Sequence, residues 1–507
     1  MQFAQDMTKN VSSVITPGKV YQYVDTGEPM RGGMKDVYFS PDKSYVVAFY
    51  RDEQDAVSKE RLRKIVTQYY DSFFNREGGD YYKDLYCWPT DMVEEGRKTG
   101  IVVPAYHSNF FFKKGYATSD LIKGKEKEGK WFASPKFRNK QFALRLDESE
   151  LGNWLSYFQV CLNISRGVKR LHSAGLAHSD LSYKNVLVDP VSKSAAIIDI
   201  DGLVVPGLFP PDVIGTADFI APEVLATKHL HVKDLNRVLP SRVTDLHALA
   251  VMIYMYLLYR HPLKGGKVHH LEPEKDDLLS MGKKAMFIEH PTDATNRPNI
   301  SQLNPKELPW ADVTRIPYSV TGPYLKALFD QAFVTGLHDP AQRPPAEMWE
   351  QAILKTTDLM QPCSNTACDQ KWYVFDNTSR PRCPFCGTAH KGTLPVLDLY
   401  YQFKPAVWRP ENHRLMVYNN QYLFQWHVNR NVVRNEKLTA EQKVPVGYFT
   451  FYQGKWVLVN QKLDSLKDLT NDAEVPLGAM VEITDGKRLL LSKEEGGRVV
   501  LITMANK

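Results

Sequence analysis

The stretch from His178 to Gly202, HSDLSYKNVLVDPVSKSAAIIDIDG, constrains this 507-residue chain more than any other part of its sequence. Asp180 is followed five residues later by Asn185, and Asp199 ends the apolar run AAII. Phosphoryl transfer needs this combination, because one carboxylate accepts the proton of the attacking hydroxyl while an amide and a second carboxylate hold the metal ions on the nucleotide phosphates. The stretch therefore predicts a phosphoryl-transfer centre.

Three later segments follow in an order that resembles the protein kinases. They are GTADFIAPE (215–223), like the end of an activation segment, SRVTDLHALAVMIYMYLLYRHPL (241–263), like the central buried helix, and HDPAQRP (338–344), like the late arginine segment. The resemblance implies a two-lobed kinase fold of the α+β class. It also implies that Asp245 braces the catalytic loop and that Glu223 and Arg343 form a buried ion pair.

The kinase resemblance assigns roles to individual residues of the centre. Asp180 is implied as the catalytic base, and Asn185 and Asp199 as the magnesium ligands at the ATP site. Thr216 matches the threonine that serine/threonine kinases place beside the base, which favours an alcohol acceptor on protein. Lys184 is a candidate to neutralise the transferring phosphoryl group, because the usual lysine position holds a serine.

Two positions near the base and the metal ligand depart from the kinase pattern, and one expected residue is not identified. Asp201 replaces the usual glycine of the metal-binding tripeptide, so it lies close enough to Asp199 to assist it or to be confused with it. Ser179 stands where many kinases have arginine before the base, so switching by a phosphorylated activation segment is not expected. The helix glutamate that orients the phosphate-binding lysine is not identified, because the nearest one, Glu60, lies opposite the apolar helix face.

The glycine turn in RGGMKDVYF supplies the nucleotide side of the predicted site. Gly32 and Gly33 lie between alternating apolar segments, a layout that brings backbone N–H groups close to phosphate oxygens. The strand lysine of kinases should close the sequence V-A-x-K, but this chain reads VAFY and has Tyr50 in that place. Lys35 resembles the relocated lysine of the with-no-lysine kinases, and a lysine is a flexible point charge that can reach the phosphates from either strand.

Two other functions remain open at this level. Lys35 could be a solvated hairpin lysine, in which case the domain is a pseudokinase that binds nucleotide or partners without phosphoryl transfer. Small-molecule phosphotransferases of the aminoglycoside-kinase type share H-x-D…N…D, but GTADFIAPE and HDPAQRP favour the protein-kinase branch.

Four cysteines crowd into a short segment after the kinase-like region. Cys363, Cys368, Cys383 and Cys386 follow the pattern C-x4-C and C-x2-C, with fourteen residues between the two pairs. Two such pairs can close the tetrahedral four-sulfur site that structural zinc prefers. Reduced buried thiols are the alternative, and iron is a minor alternative metal.

The strand-rich tail loosely resembles a forkhead-associated domain. The resemblance rests on WVLVN (456–460) and VPLGAMVEITDGKRLLLS (475–492). The arginine, serine and histidine with which such domains read phosphothreonine are not located, and a generic β-sandwich or small barrel remains an alternative. The predicted domains are a kinase-like catalytic domain (1–360), a zinc ribbon (361–393) and an all-β, sandwich-like domain (394–507).

Together the three parts resemble the bacterial serine/threonine kinases associated with tellurium-resistance operons. That resemblance implies ATP, Mg²⁺ and Zn²⁺ as cofactors, protein substrates, a role in stress signalling, and as partners a metal-dependent phosphatase and a von Willebrand-type protein. The net charge of +6, from 64 basic and 58 acidic residues, is too small to indicate nucleic-acid binding. No secretory signal is visible, and the longest apolar run (248–259) falls short of the roughly 20 residues of a membrane span. We expect a cytoplasmic protein.

Overall fold

The computed structural model describes residues 7–205, 208–209, 215–231, 233–376, 380–404 and 407–506. The chain divides into two compact units. The first comprises Met1–Gly152, Gln159–Arg315 and Phe329–Met348, and the second comprises Asn153–Phe158, Ile316–Leu328 and Trp349–Lys507. The division into 1–360, 361–393 and 394–507 stays a prediction, and its end residues 1 and 507 lie outside the described residues.

A seven-stranded antiparallel sheet begins the first unit, with the strand order β2-β1-β6-β7-β5-β4-β3. Its strands are β1 (Thr8–Ser13), β2 (Val20–Val24), β3 (Met30–Arg31), β4 (Lys35–Phe39), β5 (Tyr45–Tyr50), β6 (Asp91–Glu95) and β7 (Lys98–Pro104). Successive side chains of a strand point to opposite faces. Val47 and Phe49 therefore pack in one apolar cluster, while Ala48 and Tyr50 pack in another that includes Leu62 from the following helix.

The remainder of the first unit is mainly helical, as the apolar periodicity predicts. Its helices are α1 (Ala56–Lys64), α2 (Tyr70–Phe74), α3 (Gly79–Lys83), α4 (Trp154–Ser173, from Gln159 onward), α5 (Pro222–Ala226), α6 (Arg242–Leu258) and α7 (Pro273–Met281). A π-helical turn, Ile65–Tyr69, joins α1 to α2. Helix α6 is buried along most of its length and carries the longest apolar run. Across the described ranges, no helix is both long and apolar enough to cross a membrane.

A short hairpin follows helix α4 and carries the predicted phosphoryl-transfer residues at its ends. Its strands are β8 (Val186–Asp189) and β9 (Ser194–Ile197), and both are largely buried. Asn185 immediately precedes β8, and Asp199 follows β9 by two residues. In an antiparallel hairpin the first strand begins at the end of the hairpin where the second strand finishes. Asn185 and Asp199 therefore lie at the same end of the hairpin.

The second unit contains the cysteine segment and the tail. Helices α8 (Pro323–Asp330) and α9 (Ala346–Thr357) contribute residues to it, and α10 (Gln425–Val428) lies within it. Strands β10 (Met360–Pro362) and β11 (Trp372–Val374) form a two-stranded sheet. The tail strands form a six-stranded sheet, β13-β12-β21-β20-β17-β18, and a four-stranded sheet, β14-β15-β16-β19.

The tail strands are all antiparallel to their neighbours. They are β12 (Leu394–Lys404), β13 (Val407–Met416), β14 (Gln421–Leu423), β15 (Gly447–Tyr452), β16 (Lys455–Asn460), β17 (Lys467–Asp468), β18 (Ala473–Glu474), β19 (Met480–Glu482), β20 (Arg488–Leu490) and β21 (Arg498–Ala505). One apolar core contains Cys368, Tyr373 and Cys383 together with tail residues such as Leu458 and Ile502. The cysteine segment and the tail therefore share a core, although a boundary near residue 393 was expected from the sequence.

Candidate active site

The loop before β8 brings three of the predicted catalytic residues together. One carboxylate oxygen of Asp180 accepts a hydrogen bond from the Asn185 amide nitrogen at 2.9 Å, and the other accepts one from the backbone N–H of Thr216 at 2.7 Å. The Thr216 hydroxyl also lies 3.2 Å from the Ser182 hydroxyl. Two hydrogen bonds of this kind orient a carboxylate, so Asp180 is held in a fixed position beside the residue that was expected to flank it.

Asp245, at the start of α6, ties the same loop to the helical core. It accepts hydrogen bonds from the backbone N–H groups of His178 at 2.8 Å and Ser179 at 3.1 Å. Ser179 has a φ of 68°, a left-handed conformation that is unfavourable for a residue with a side chain unless its surroundings hold it. The Asp245 carboxylate is therefore placed to stabilise this backbone, as expected of a brace.

Glu223 and Arg343 form the expected ion pair in the helical part of the first unit. The two guanidinium NH groups of Arg343 lie 2.8 and 2.7 Å from the two Glu223 oxygens. The Arg343 side chain is only 1% exposed. A two-point contact of this geometry is among the stronger ion pairs of proteins, and it fixes the segment that begins helix α5.

Backbone hydrogen bonds also place Lys184 and link Asn185 to the segment that carries Asp199. The Lys184 side chain is exposed, and its backbone N–H donates to the Ser182 hydroxyl at 3.3 Å. Asn185 and Asp199 are linked through the backbone, because the Ile198 N–H donates to the Asn185 carbonyl at 3.0 Å. Within the described ranges the two side chains make no direct contact, which leaves their oxygens available to a shared cation.

Asp199 has a left-handed backbone with φ of 61° and ψ of 45°. Aspartate and asparagine tolerate this region better than other residues with side chains. The side chain is 43% exposed, and one of its oxygens lies 3.2 Å from the Lys35 ammonium nitrogen. Carboxylate oxygens that remain accessible to solvent are what Mg²⁺ requires, so the donor set of Asp199 and Asn185 fits that ion.

Lys35 and Tyr50 are directly opposite each other in the β4–β5 pair. Directly opposed residues of an antiparallel pair carry their side chains on the same face of the sheet. The Lys35 ammonium lies 5.3 Å from the centre of the Tyr50 ring, within the range of a cation–π interaction. The side chains of Lys35 and Tyr50 therefore approach the same place from neighbouring strands.

Asp201 is the residue that joins Lys35 and Tyr50. Its two oxygens lie 2.7 and 2.6 Å from the Lys35 ammonium, and the Tyr50 hydroxyl donates to one of them. Burial alone raises the pKa of the Asp201 carboxyl, but the charge and hydrogen bonds of Lys35 outweigh burial and bring the pKa below its usual value. For Lys35, burial lowers the pKa, yet the two aspartates outweigh it and raise the pKa. The pair is therefore ionised at neutral pH.

The glycine turn is closed by its own hydrogen bonds. The Gly32 N–H donates to the Lys35 carbonyl at 2.9 Å, and Arg51 donates to the carbonyls of Gly32, at 3.1 Å, and Gly33. Neither glycine adopts a positive φ, and an added Cβ at Gly33 would meet no atom within 4 Å. A side chain would therefore fit at Gly33, and the fold itself does not require a glycine there. Arg51 points at the turn, away from the face that carries Tyr50.

The cysteine segment brings its four thiols to one point. The Sγ atoms of Cys363, Cys368, Cys383 and Cys386 all lie within 4.8 Å of one another, with 3.5 Å between Cys363 and Cys386 and 3.9 Å between Cys368 and Cys383. Zinc–sulfur bonds of about 2.3 Å in a tetrahedron put the sulfurs about 3.8 Å apart. The donor set and its spacing therefore fit a four-coordinate structural metal.

The partnership of Asp201 with Lys35 and Tyr50 was missed by sequence reasoning, which left Asp201 as a residue that assists Asp199 or is confused with it as the metal ligand. A carboxylate at a position that normally carries glycine was the available signal. Its partner could not be read from the sequence, because Asp201 and Lys35 are separated by 166 residues.

Comparison with known proteins agrees with this site. A family model described as "Protein kinase domain" matches residues 140–320, which include Asp180, Asn185, Asp199, Thr216 and Glu223. Residues 140–320 are thus similar to a protein kinase domain. The matched residues begin after the sheet that carries Lys35. The match therefore does not test whether Lys35 replaces the lysine that kinases carry at the position of Tyr50, and this role stays a prediction.

Similar proteins cover only part of the chain. A dual serine/threonine and tyrosine protein kinase from Apis mellifera is 34% identical over 139 residues, which are 27% of this chain and 13% of that protein. The protein of the same name from Gallus gallus is 34% identical over 71 residues, 14% of this chain and 8% of that protein. The chain thus spans a small part of the length of these relatives. Among solved structures, a rhoptry kinase from Toxoplasma gondii has a TM-score of 0.39 and 14% identity, covering 69% of this chain and 83% of that one.

Proposed function

We propose that the chain is an ATP- and Mg²⁺-dependent protein kinase that phosphorylates serine or threonine. One observation carries this proposal: the Lys35 ammonium lies 3.2 Å from Asp199, which lies at the same end of the β8–β9 hairpin as the Asp180–Asn185 pair. A cation beside the metal-binding carboxylate is what the phosphates of ATP require. The lysine exchange therefore preserves the chemistry of the site while changing the strand that supplies the charge.

Each residue has a role in the proposed reaction. Asp180, oriented by Asn185 and Thr216, accepts the proton of the attacking hydroxyl. Asn185 and Asp199 hold Mg²⁺, which when bound neutralises the charge that develops on the phosphates. Lys35 contacts the same phosphates, and the exposed Lys184 neutralises the phosphoryl group in transfer. The backbone of Gly32 and Gly33 covers the nucleotide.

The hydrogen bond from the Thr216 backbone to Asp180 supports an alcohol acceptor. It places the threonine side chain next to the base and beside the Ser182 hydroxyl, where a serine or threonine side chain of a substrate would approach. The relatives are named as dual serine/threonine and tyrosine kinases, so tyrosine is the alternative acceptor. Phosphoamino-acid analysis of a labelled product distinguishes the two.

A pseudokinase is the second candidate function. It is favoured by the three contacts of the Lys35 ammonium with Asp199 and Asp201, which occupy the donors that a nucleotide phosphate would use. In that case the kinase domain binds nucleotide or partner proteins without transferring a phosphoryl group.

Incubation of the full chain with radiolabelled ATP, Mg²⁺ and generic protein acceptors separates these two functions. We expect incorporation of label that Asp199→Ala and Asp180→Asn each abolish, with the fold retained because neither change opens a core cavity. Lys193→Gln, at a remote turn, is the control. Absence of transfer in the wild type, with Mg²⁺-dependent nucleotide binding retained, favours the pseudokinase. Unchanged transfer in Asp199→Ala contradicts the assignment of the metal ligand.

For the second unit we propose a structural zinc ribbon with a forkhead-associated-like or generic β-sandwich tail. The spacing of the four Sγ atoms and the two antiparallel sheets support this assignment. The proposed cellular setting is a cytoplasmic stress response in bacteria, with a metal-dependent phosphatase and a von Willebrand-type protein as partners. Metal analysis of the freshly purified chain tests the ribbon, and co-purification tests the partners.

A further inference from the structure

The contacts of Asp201 are unusual for a residue so close to a metal-binding carboxylate. Both of its oxygens contact Lys35, one of them also accepts from Tyr50, and its side chain is only 6% exposed. Asp199, two residues earlier, is 43% exposed and has a single contact to Lys35. A Mg²⁺ ligand needs free oxygen lone pairs and room for the waters of the ion. Asp201 offers neither, so its contacts serve the lysine.

The helix that follows β5 does not supply an acidic partner for Lys35. Its glutamate, Glu60, is 45% exposed and pairs with Arg63 at 3.1 Å. The ion pairs of Lys35 within the described residues are with Asp199 and Asp201. The charged residue that helix α1 buries is Arg61, which is basic. In ordinary protein kinases the strand lysine pairs with a helix glutamate, and movement of that helix controls the site.

We propose that Asp201 takes the place of the helix glutamate as the positioning residue of Lys35, so that the acid that holds the lysine is not supplied by helix α1. This inference rests on the proposed function of the same site. Asp201 and Asp199 belong to one short segment that ends in the turn Ile200–Gly202. The lysine anchor and the metal ligand therefore move together, whereas in ordinary kinases they are carried by two separate elements.

The consequence concerns regulation. A kinase whose lysine depends on a helix glutamate is switched off when the helix swings out. Here such a swing leaves the contacts between Lys35 and Asp201 in place. Ser179 independently removes the arginine that receives an activating phosphate. With Asp201 holding Lys35 and serine at position 179, the site is assembled without an activation step.

The test compares Asp201→Asn with Glu60→Gln in the full chain. The amide has the size of the carboxylate but lacks its charge, and each variant removes one acid. With Asp201→Asn we expect the KM for MgATP to rise about tenfold or more, since charge-assisted contacts that orient Lys35 are lost. The Mg²⁺ concentration for half-maximal activity stays within about twofold of the wild type. Glu60→Gln leaves both quantities unchanged.

A second readout does not require kinase activity. Acetylation of Lys35 by acetic anhydride, followed by mass spectrometry, reports how often the amine leaves its partners and meets the reagent. Both Asp201 oxygens contact the ammonium, so the loss of that charge releases the amine. We expect faster labelling of Lys35 in Asp201→Asn, a smaller increase in Tyr50→Phe, which keeps the ion pair, and the wild-type rate in Glu60→Gln.

The outcomes distinguish the proposed role of Asp201 as the anchor of Lys35, here called the anchor, from the proposed function. Faster labelling in Asp201→Asn supports the anchor even if the wild-type chain transfers no phosphoryl group, in which case the proposed function alone fails. Faster labelling or a raised KM in Glu60→Gln, with Asp201→Asn unchanged, overturns the anchor. A raised Mg²⁺ requirement in Asp201→Asn with Lys35 labelling unchanged also overturns it, since Asp201 then serves the metal. If Asp201→Asn does not fold, Glu60→Gln still decides between the two acids, because faster labelling of Lys35 in that variant overturns the anchor and the wild-type rate supports it.

Discussion

Removal of the Lys35 charge should destabilise the first unit in a strongly pH-dependent way. In Lys35→Met the Asp201 carboxylate keeps its hydrogen bond from Tyr50 but loses both contacts to the ammonium. Breaking a buried ion pair from one side costs about 3–5 kcal/mol, because the remaining charge is unpaired. The loss of stability cannot exceed the free energy of protonating the Asp201 carboxyl, since a protonated carboxyl carries no unpaired charge.

The ceiling follows from the unfolded pKa of aspartate. Protonating a group of pKa about 3.9 at pH 7 costs about 4 kcal/mol, and at pH 5 the cost is about 1.5 kcal/mol. In the variant the folded pKa of Asp201 lies above its unfolded value. The stability that such a group contributes to the fold is fully present below the unfolded pKa and is lost as the pH rises through the folded pKa. We therefore expect the deficit of Lys35→Met to grow from about 1 kcal/mol at pH 5 to about 3–4 kcal/mol at pH 7.

Native-state hydrogen exchange at several urea concentrations measures this loss for peptides covering β4 and β5 alone. Lys59→Met is the matched control, because Lys59 forms an exposed ion pair with Glu94 and its loss should cost less than about 1 kcal/mol. The double variant Lys35→Met with Asp201→Asn removes the stranded charge, so it should recover at least about 2 kcal/mol at pH 7. A deficit that is equal at both pH values, or a double variant no more stable than the single one, refutes the reasoning.

Three further predictions concern separate features. Tyr50→Phe removes one hydrogen bond and keeps the ion pair, so steady-state kinetics should show less than a tenfold loss in ATP use and denaturation a loss of about 1–2 kcal/mol; a larger kinetic effect contradicts a supporting role. His247 is buried, both of its ring nitrogens lack partners among the described residues, and burial lowers its pKa well below 6.5. Since its folded pKa is lowered, His247 makes the fold less stable as the pH falls below 6.5. His247→Leu removes two unpaired nitrogens, so thermal melts should show it to be about 1 kcal/mol more stable than the wild type at pH 7.5. The stability of the variant should also decline less than that of the wild type between pH 7.5 and pH 5.5. Cys383→Ser, or chelation, should release one zinc per chain by metal analysis and raise hydrogen exchange in the second unit alone; the absence of zinc in the wild type contradicts the ribbon.

Local patterns in the sequence predicted most of the first unit. Apolar residues alternate between Val37 and Tyr50, a pattern that indicates the observed β4–β5 hairpin, and apolar residues at helical spacing indicate helix α4. The positions of Asp245 and Arg343 were predicted through the kinase resemblance, and both have the expected partners. These features depend on residues close in sequence or on motifs of fixed spacing, so one sequence suffices to find them.

The remaining features depend on contacts between distant segments. The Asp201–Lys35 pair joins the end of one hairpin to the start of another, and no local pattern indicates which acid a buried lysine chooses. The π-helical turn Ile65–Tyr69 interrupts a helix whose apolar spacing looks continuous. The order of the tail strands is set by which apolar faces pack together, and alternation within each strand leaves that order open.

The cluster of Lys35, Tyr50 and Asp201 also dictates the order in which such a site can evolve. If Lys35 is replaced first, Asp201 is left as an unmatched buried charge, at a cost that is a large part of the roughly 5–15 kcal/mol that stabilises a domain. If Tyr50 becomes lysine first, two ammonium groups face two carboxylates, Asp199 and Asp201, and the charges remain balanced. A path between this layout and one with lysine at position 50 is therefore less costly through a variant that carries both lysines than through one that carries neither.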